Sequence, residues 1–142
     1  MAQNEHPLLK QAHELLPGAF EQRCEIHRYP ELGNETPKTR AAVLEAIADL
    51  DLDITLSNRT SGFVARLQGA RPGPEIVLRG DMDALPMPEH TGVDFASEFE
   101  GRMHARGHDA HTAMLAGAAR LLHGRRSELS GSVRFMFQPG EE

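Results

Sequence analysis

Two adjacent glutamates, Glu141 and Glu142, close the sequence directly behind Gln138-Pro139-Gly140. Two other runs carry the same kind of chemistry: Gly80-Asp81-Met82-Asp83 and Gly107-His108-Asp109-Ala110-His111. Carboxylates and imidazoles gathered in one cleft are ligands for first-row cations such as zinc, manganese, cobalt or nickel. A cation held there lowers the pKa of bound water and polarises a carbonyl. Neighbouring glutamates allow a division of labour, one on the ion and the other taking a proton within hydrogen-bond reach. Taken singly, each run has a plainer reading. Glu-Glu after Pro-Gly is a solvated loop, Asp-x-Asp a turn, and Gly-His-Asp the cap of a helix with exposed histidines. Only their arrival at one edge of a sheet makes them a site.

The surrounding pattern supplies that edge. Glu75 to Arg79 is a compact apolar strand of the kind buried in a mixed or parallel sheet, and it runs straight into Gly80-Asp81-Met82-Asp83. A helix is expected from Asp109 to Arg126, with Met114, Leu115, Ala118, Leu121 and Leu122 as its apolar stripe. Val133 to Gln138 is the next strand. Strand, crossover helix and strand form a unit that is right-handed in about 98% of cases, which leaves the strands parallel with their carboxyl ends at one edge. Asp81, Asp83, Glu141 and Glu142 are therefore expected to converge, with His108 beside them, where open α/β sheets place their chemistry.

Upstream, Pro17 is expected to open a first helix that Pro30 ends, and Thr36-Pro37 to cap a second carrying Val43, Ala46, Ile47 and Leu50. Leu52 to Leu56 and Phe63 to Leu67 alternate in polarity around the turn residues 58 to 62, which predicts an antiparallel hairpin, followed by a loop from Gly69 to Pro74. His6, His13, His90 and His123 are expected at the surface.

With 39% apolar and 25% charged residues the 142-residue chain has ordinary globular composition and room for one domain. Its 21 acids and 15 bases are scattered, so no contiguous basic surface is offered to nucleic acid. No run approaches the roughly 20 apolar residues of a membrane span, and Met1 to Pro7 lacks a leader-like pattern. With Cys24 as the one cysteine, these features predict a cytoplasmic protein with neither nucleic-acid nor membrane partners.

Four segments, His27 to Gly33, Arg79 to Pro86, Met103 to Leu115 and Phe137 to Glu142, together resemble the amidohydrolase branch of the aminoacylase and carboxypeptidase metallopeptidase superfamily. That branch includes hippurate hydrolases, N-acetyl-diaminopimelate deacetylases and indole-acetyl-amino-acid hydrolases. The resemblance runs from about residue 12 to the end. It implies the N-terminal part of a three-layer α/β/α catalytic domain with a mixed sheet, incomplete in these 142 residues. The remaining strands, further histidine ligands and a lid or dimerisation domain would lie beyond Glu142, and the full-length form would be a homodimer. The implied reaction is hydrolysis of the amide bond of small-molecule N-acyl amino acids with two divalent ions per site, whether manganese, zinc, cobalt or nickel. Position by position, the resemblance makes Glu141 the general base, Glu142 and His108 metal ligands, and Asp83 an acid that orients the centre. Asp81 keeps an open role, and His111 is expected to support the site or cap its helix.

One departure stands out. The family's Met-His-Ala-Cys-Gly-His-Asp is here Met103-His104-Ala105-Arg106-Gly107-His108-Asp109, with an arginine where a thiolate ligand belongs. Arginine offers donors only. Held about 4 Å from a dication it would be repelled by roughly 8 kcal/mol at an effective dielectric near 20, an upper guide because the side chain can swing away. Two further expectations follow from the sequence as it stands: the final strand is an exposed apolar edge, and the terminal glutamates fray. The chain taken alone is expected to be inactive, and the alternative reading is a non-catalytic remnant or interaction fragment of such an enzyme.

Overall fold

The computed structural model describes residues 6–142; the N-terminal segment read above for a leader lies mostly outside them. Helix α1 spans Pro7–Arg28, starting ten residues before Pro17. The start signal is Pro7 in its first turn, with His6 Nδ1 accepting the Leu8 N–H at 3.2 Å. Pro17 thus sits inside the helix, where it forfeits one backbone hydrogen bond, and α1 packs along a later helix, α3 (His108–Gly124). Helix α2, Pro37–Ala46, begins where expected, but the Thr36 side chain does not cap it. Glu31 caps it instead, accepting from the backbone N–H groups of Lys38 and Thr39 at 3.0 and 2.8 Å. An acid reaching the first turn from outside serves the same orphan donors and suits the helix dipole.

The strands are β1 (Asp53–Leu56), β2 (Phe63–Gln68), β3 (Arg71–Asp81) and β4 (Ser130–Gln138). They form one mixed sheet in the order β1-β2-β4-β3. The hairpin of β1 and β2 is antiparallel as expected, and β3 and β4 are parallel, with Asp81 level with Gln138. Strand β3 begins inside the expected loop, at Arg71, but its register is broken until Glu75.

Two expectations about edges are reversed. Strand β4 lies between β2 and β3, so Val133, Phe135 and Phe137 are buried in the core and do not form an open edge. Strands β1 and β3 are the edges, and Ile76 and Val77 of β3 are about half exposed (51% and 55%). A run of apolar residues marks a strand without saying which earlier strands flank it.

The core joins Phe63, Ala65 and Leu67 of β2 and Val133, Phe135 and Phe137 of β4 to Val43 and Ile47 and to Leu115, Ala116 and Ala119 of α3. The buried face of α3 runs through Thr112, Ala113, Leu115, Ala116 and Ala119, whereas Met114 is 61% exposed. The expected stripe followed side-chain size, but the close approach of α3 to the sheet selects small residues. On the other sheet face Glu75 pairs with Arg66 and Arg134, each at 2.7 Å. The fold class is α/β with a mixed sheet, as expected. Among the described residues no helix is long and apolar enough to cross a membrane.

Candidate metal centre

Parallel pairing of β3 with β4 brings the ends of both strands to one edge, and α3 starts there. Gly107 precedes the helix with φ of 82°, a left-handed turn that swings the chain directly into His108. Thr112, one turn on, donates its hydroxyl to the Asp81 carbonyl at 2.7 Å and ties the helix to the strand end.

Asp83 organises the edge. Its carboxylate is 1% exposed and accepts the backbone N–H groups of both glutamates, Glu141 on Oδ1 at 3.1 Å and Glu142 on Oδ2 at 3.0 Å. The expected fraying of the glutamates is therefore not what is found. Gly140 allows the grip: it has φ of 65°, and a Cβ there would stand 2.3 Å from Asn34 Oδ1.

His108 is buried, and its Nδ1 lies 2.8 Å from the backbone carbonyl of Asp83. A carbonyl only accepts, so Nδ1 carries a proton and Nε2 is the nitrogen turned outward. That nitrogen faces Asp81 Oδ2 at 3.5 Å, Glu141 Oε2 at 3.7 Å and Glu142 Oε1 at 3.9 Å. An imidazole nitrogen ringed by three carboxylates offers a group of ligand atoms that a cation fits.

Two groups of potential ligand atoms result, His108 with Glu141 and Glu142, and Asp81 with His108 and His111. Asp81 and His111 join through Oδ1 and Nδ1 at 2.7 Å. Burial works to raise the Asp81 carboxyl, but the His111 hydrogen bond and the nearby His108 outweigh it and hold the group below its ordinary range. The sequence alone leaves the role of Asp81 open and predicts a supporting or capping role for His111; the i, i+3 spacing of His108 and His111 on one helix face is the signal that pairs them.

Arginines approach both groups. Arg106 Nε lies 3.1 Å from Glu142 Oε1, the oxygen that also faces His108, with the side chain 63% exposed. Arg79 Nη1 lies 2.7 Å from Asp81 Oδ2. Cys24 is buried on α1 and belongs to neither ligand group.

Behind this edge lies a network outside the ligand groups. Asp109 Oδ2 receives Arg23 Nε at 2.6 Å and His27 Nδ1 at 2.7 Å, and His27 Nε2 meets Glu89 Oε1 at 3.0 Å. His104 is buried beside it with no hydrogen-bond partner on either ring nitrogen. Burial pushes its pKa down to about 4, against the pull of Asp109. His27 to Gly33 owes its place to this network and to Glu31, whose carbonyl accepts the Ala84 N–H at 2.8 Å beside the Asp83 turn.

A buried histidine and carboxylates at the parallel strand ends of a mixed sheet form groups able to hold a cation, and known proteins resemble this chain in sequence and fold. Residues 77–142 match the model of peptidase family M20/M25/M40. It is 42% identical over 121 residues to the N-acetylcysteine deacetylase of Bacillus subtilis, covering 84% of this chain and 32% of that protein. It is also 42% identical over 121 residues to the N-acyl-L-amino acid amidohydrolase of Geobacillus stearothermophilus, again 84% of this chain and 32% of the relative. The crystal structure of Bacillus subtilis YxeP, described as a dinuclear metal-binding peptidase of the M20 family, superposes with a TM-score of 0.85 at 38% identity. That match covers 89% of this chain and 36% of YxeP. The chain thus spans about a third of the length of the curated relatives it matches.

Proposed function

We propose that the site serves metal-dependent hydrolysis of the amide bond of N-acyl amino acids, with Glu141 as general base, His108 and Glu142 as metal ligands and Asp83 as the residue that positions them. The observation that carries this reading is the double grip of Asp83 on the Glu141 and Glu142 amides beside a His108 nitrogen aimed at the same carboxylates. Divalent cations bound there, two in the dinuclear arrangement described for YxeP, supply Lewis acidity toward the amide carbonyl and toward water.

The protein's own part follows from the residues. Glu141, about one-third exposed in its side chain, faces the cleft where water and substrate enter. It takes the proton of the attacking water and returns it to the departing amine. Asp83 keeps both glutamate backbones in place, and the Asp83 carbonyl fixes the His108 ring. Residues 1–142 correspond in this proposal to the N-terminal part of the catalytic domain, with dimerisation through a further domain in the longer relatives. A buried free Cys24 agrees with a cytoplasmic setting.

A second reading, a non-catalytic member of the family, is favoured by one observation: Arg106 already neutralises Glu142. Hydrolysis of N-acetyl and N-benzoyl amino acids with added manganese or zinc separates the two. Under the first reading the protein turns over and Glu141→Gln lowers kcat by about 10²–10⁴. Turnover that Glu141→Gln leaves intact refutes the assigned base. No turnover in the parent, with turnover appearing in Arg106→Cys, supports the second reading.

A further inference from the structure

We infer that Asp81, His108 and His111 form a cation subsite of their own, distinct from the glutamate pair and selective for imidazole-seeking ions such as cobalt, nickel or zinc over manganese. The inference rests on the cation-site reading of the cleft proposed above, though not on hydrolysis.

Three features support it. One atom from each residue lies within 4.8 Å of the others, a span that a single ion can bridge. The parts are held before any ion arrives: Asp81 and His108 are 6% and 4% exposed, Thr112 pins the Asp81 carbonyl, and the Asp83 carbonyl fixes the His108 ring. The two imidazoles are one helical turn apart and stack at 26° with centroids 5.8 Å apart, so one element presents both nitrogens.

Charge alone does not choose between the two groups, since Arg79 sits on Asp81 much as Arg106 sits on Glu142. Donor type does. Removing the glutamates from the set leaves one carboxylate and two imidazole nitrogens, and imidazole favours cobalt, nickel, copper and zinc, whereas carboxylate and water suit manganese and magnesium. Arg79 also touches only Oδ2, while Oδ1 is already joined to His111. Arg79 and Arg106 each occupy the oxygen that faces His108, so the arginines do not set the two groups apart and donor type carries the choice.

The test is titration of the purified protein with Co(II), followed by its visible absorption, with manganese as competitor. The parent, His111→Ala and Glu142→Gln are compared, each checked for a native circular dichroism spectrum and melting transition. His111 is largely exposed, so its replacement leaves the core untouched. The expected result is one Co(II) per chain that excess manganese does not displace. His111→Ala should weaken it by more than about 100-fold, beyond what loss of a ligand's hydrogen-bond partner costs, and Glu142→Gln should leave it within about threefold. Binding that survives His111→Ala but is lost in Glu142→Gln overturns the subsite while leaving the glutamate-centred reading in place. Absence of Co(II) binding in the parent overturns both.

Discussion

His108 and Asp109 are consecutive residues that feed two clusters of nearly the same composition, and the clusters behave differently. The Asp109 cluster sets Arg23 and His27 against a fully buried carboxylate, with Glu89 on the far side of the imidazole. Its acid is matched by cationic and ring N–H groups within the fold. The His108 cluster gathers Asp81, Glu141 and Glu142 around an outward ring nitrogen, at an edge where both glutamates are exposed. Residue types do not separate a site from a structural clamp here. Access does: Asp109 is fully buried and keeps its unpartnered Oδ1 inside the fold, whereas Glu141 and Glu142 stand beside His108 at an exposed edge that an incoming cation can reach.

The sharpest way to break this comparison is to remove the acid of the clamp. Asp109→Ala strips the partner from a buried His27 and from Arg23, and loss of one member of a buried pair costs about 3–5 kcal/mol. Urea unfolding should show that loss as a lower midpoint with an unchanged slope. A cost below about 1 kcal/mol would mean that the clamp contributes no more than a surface ion pair.

A pH titration separates the clusters next. His104 has a folded pKa of about 4 against an ordinary value of 6.5. Because the folded value is the lower one, the unfolded chain takes up a proton that the native state refuses. The contribution is intact above pH 6.5, declines as pH falls toward 4, and is fully lost below that. At about 1.4 kcal/mol per unit, the loss across this window is about 3 kcal/mol. His104→Leu removes the titrating ring, so its stability should fall less across the same window. Parallel acid limbs in parent and variant would assign the pH dependence to other groups.

How far the sequence reveals these clusters depends on whether the signal is local or topological. The hairpin, the β3-α3-β4 crossover and the shared edge of Asp81, Asp83, His108, Glu141 and Glu142 follow from polarity period and the handedness of crossovers. The clamp does not, because Arg23 and His27 share one turn of α1 but Glu89 and Asp109 come from two other stretches at no fixed spacing from them. Glu31 hides as a cap for the same reason: it lies outside the helix it serves. The edge assignment of β4 fails because β2, earlier in the chain, returns to cover it. His111 is the subtler case. Its spacing from His108 is visible in the sequence, yet its contact with Asp81 exists only once α3 packs against the end of β3.

The smallest effect sharpens the contrast most. Glu142 is part of the open cluster, and its ion pair with Arg106 sits where that guanidinium is mostly in water. Exposed pairs contribute about 0–1 kcal/mol, and the main-chain N–H that Asp83 holds survives any change of side chain. Glu142→Gln should therefore leave the urea midpoint of the metal-free protein almost unmoved, within about 1 kcal/mol. A loss as large as that of Asp109→Ala would show that the glutamate is a structural member of the fold and that the two clusters are alike. Near-zero cost identifies a carboxylate that the fold positions without depending on it for stability, the condition expected of a group kept for binding rather than for folding.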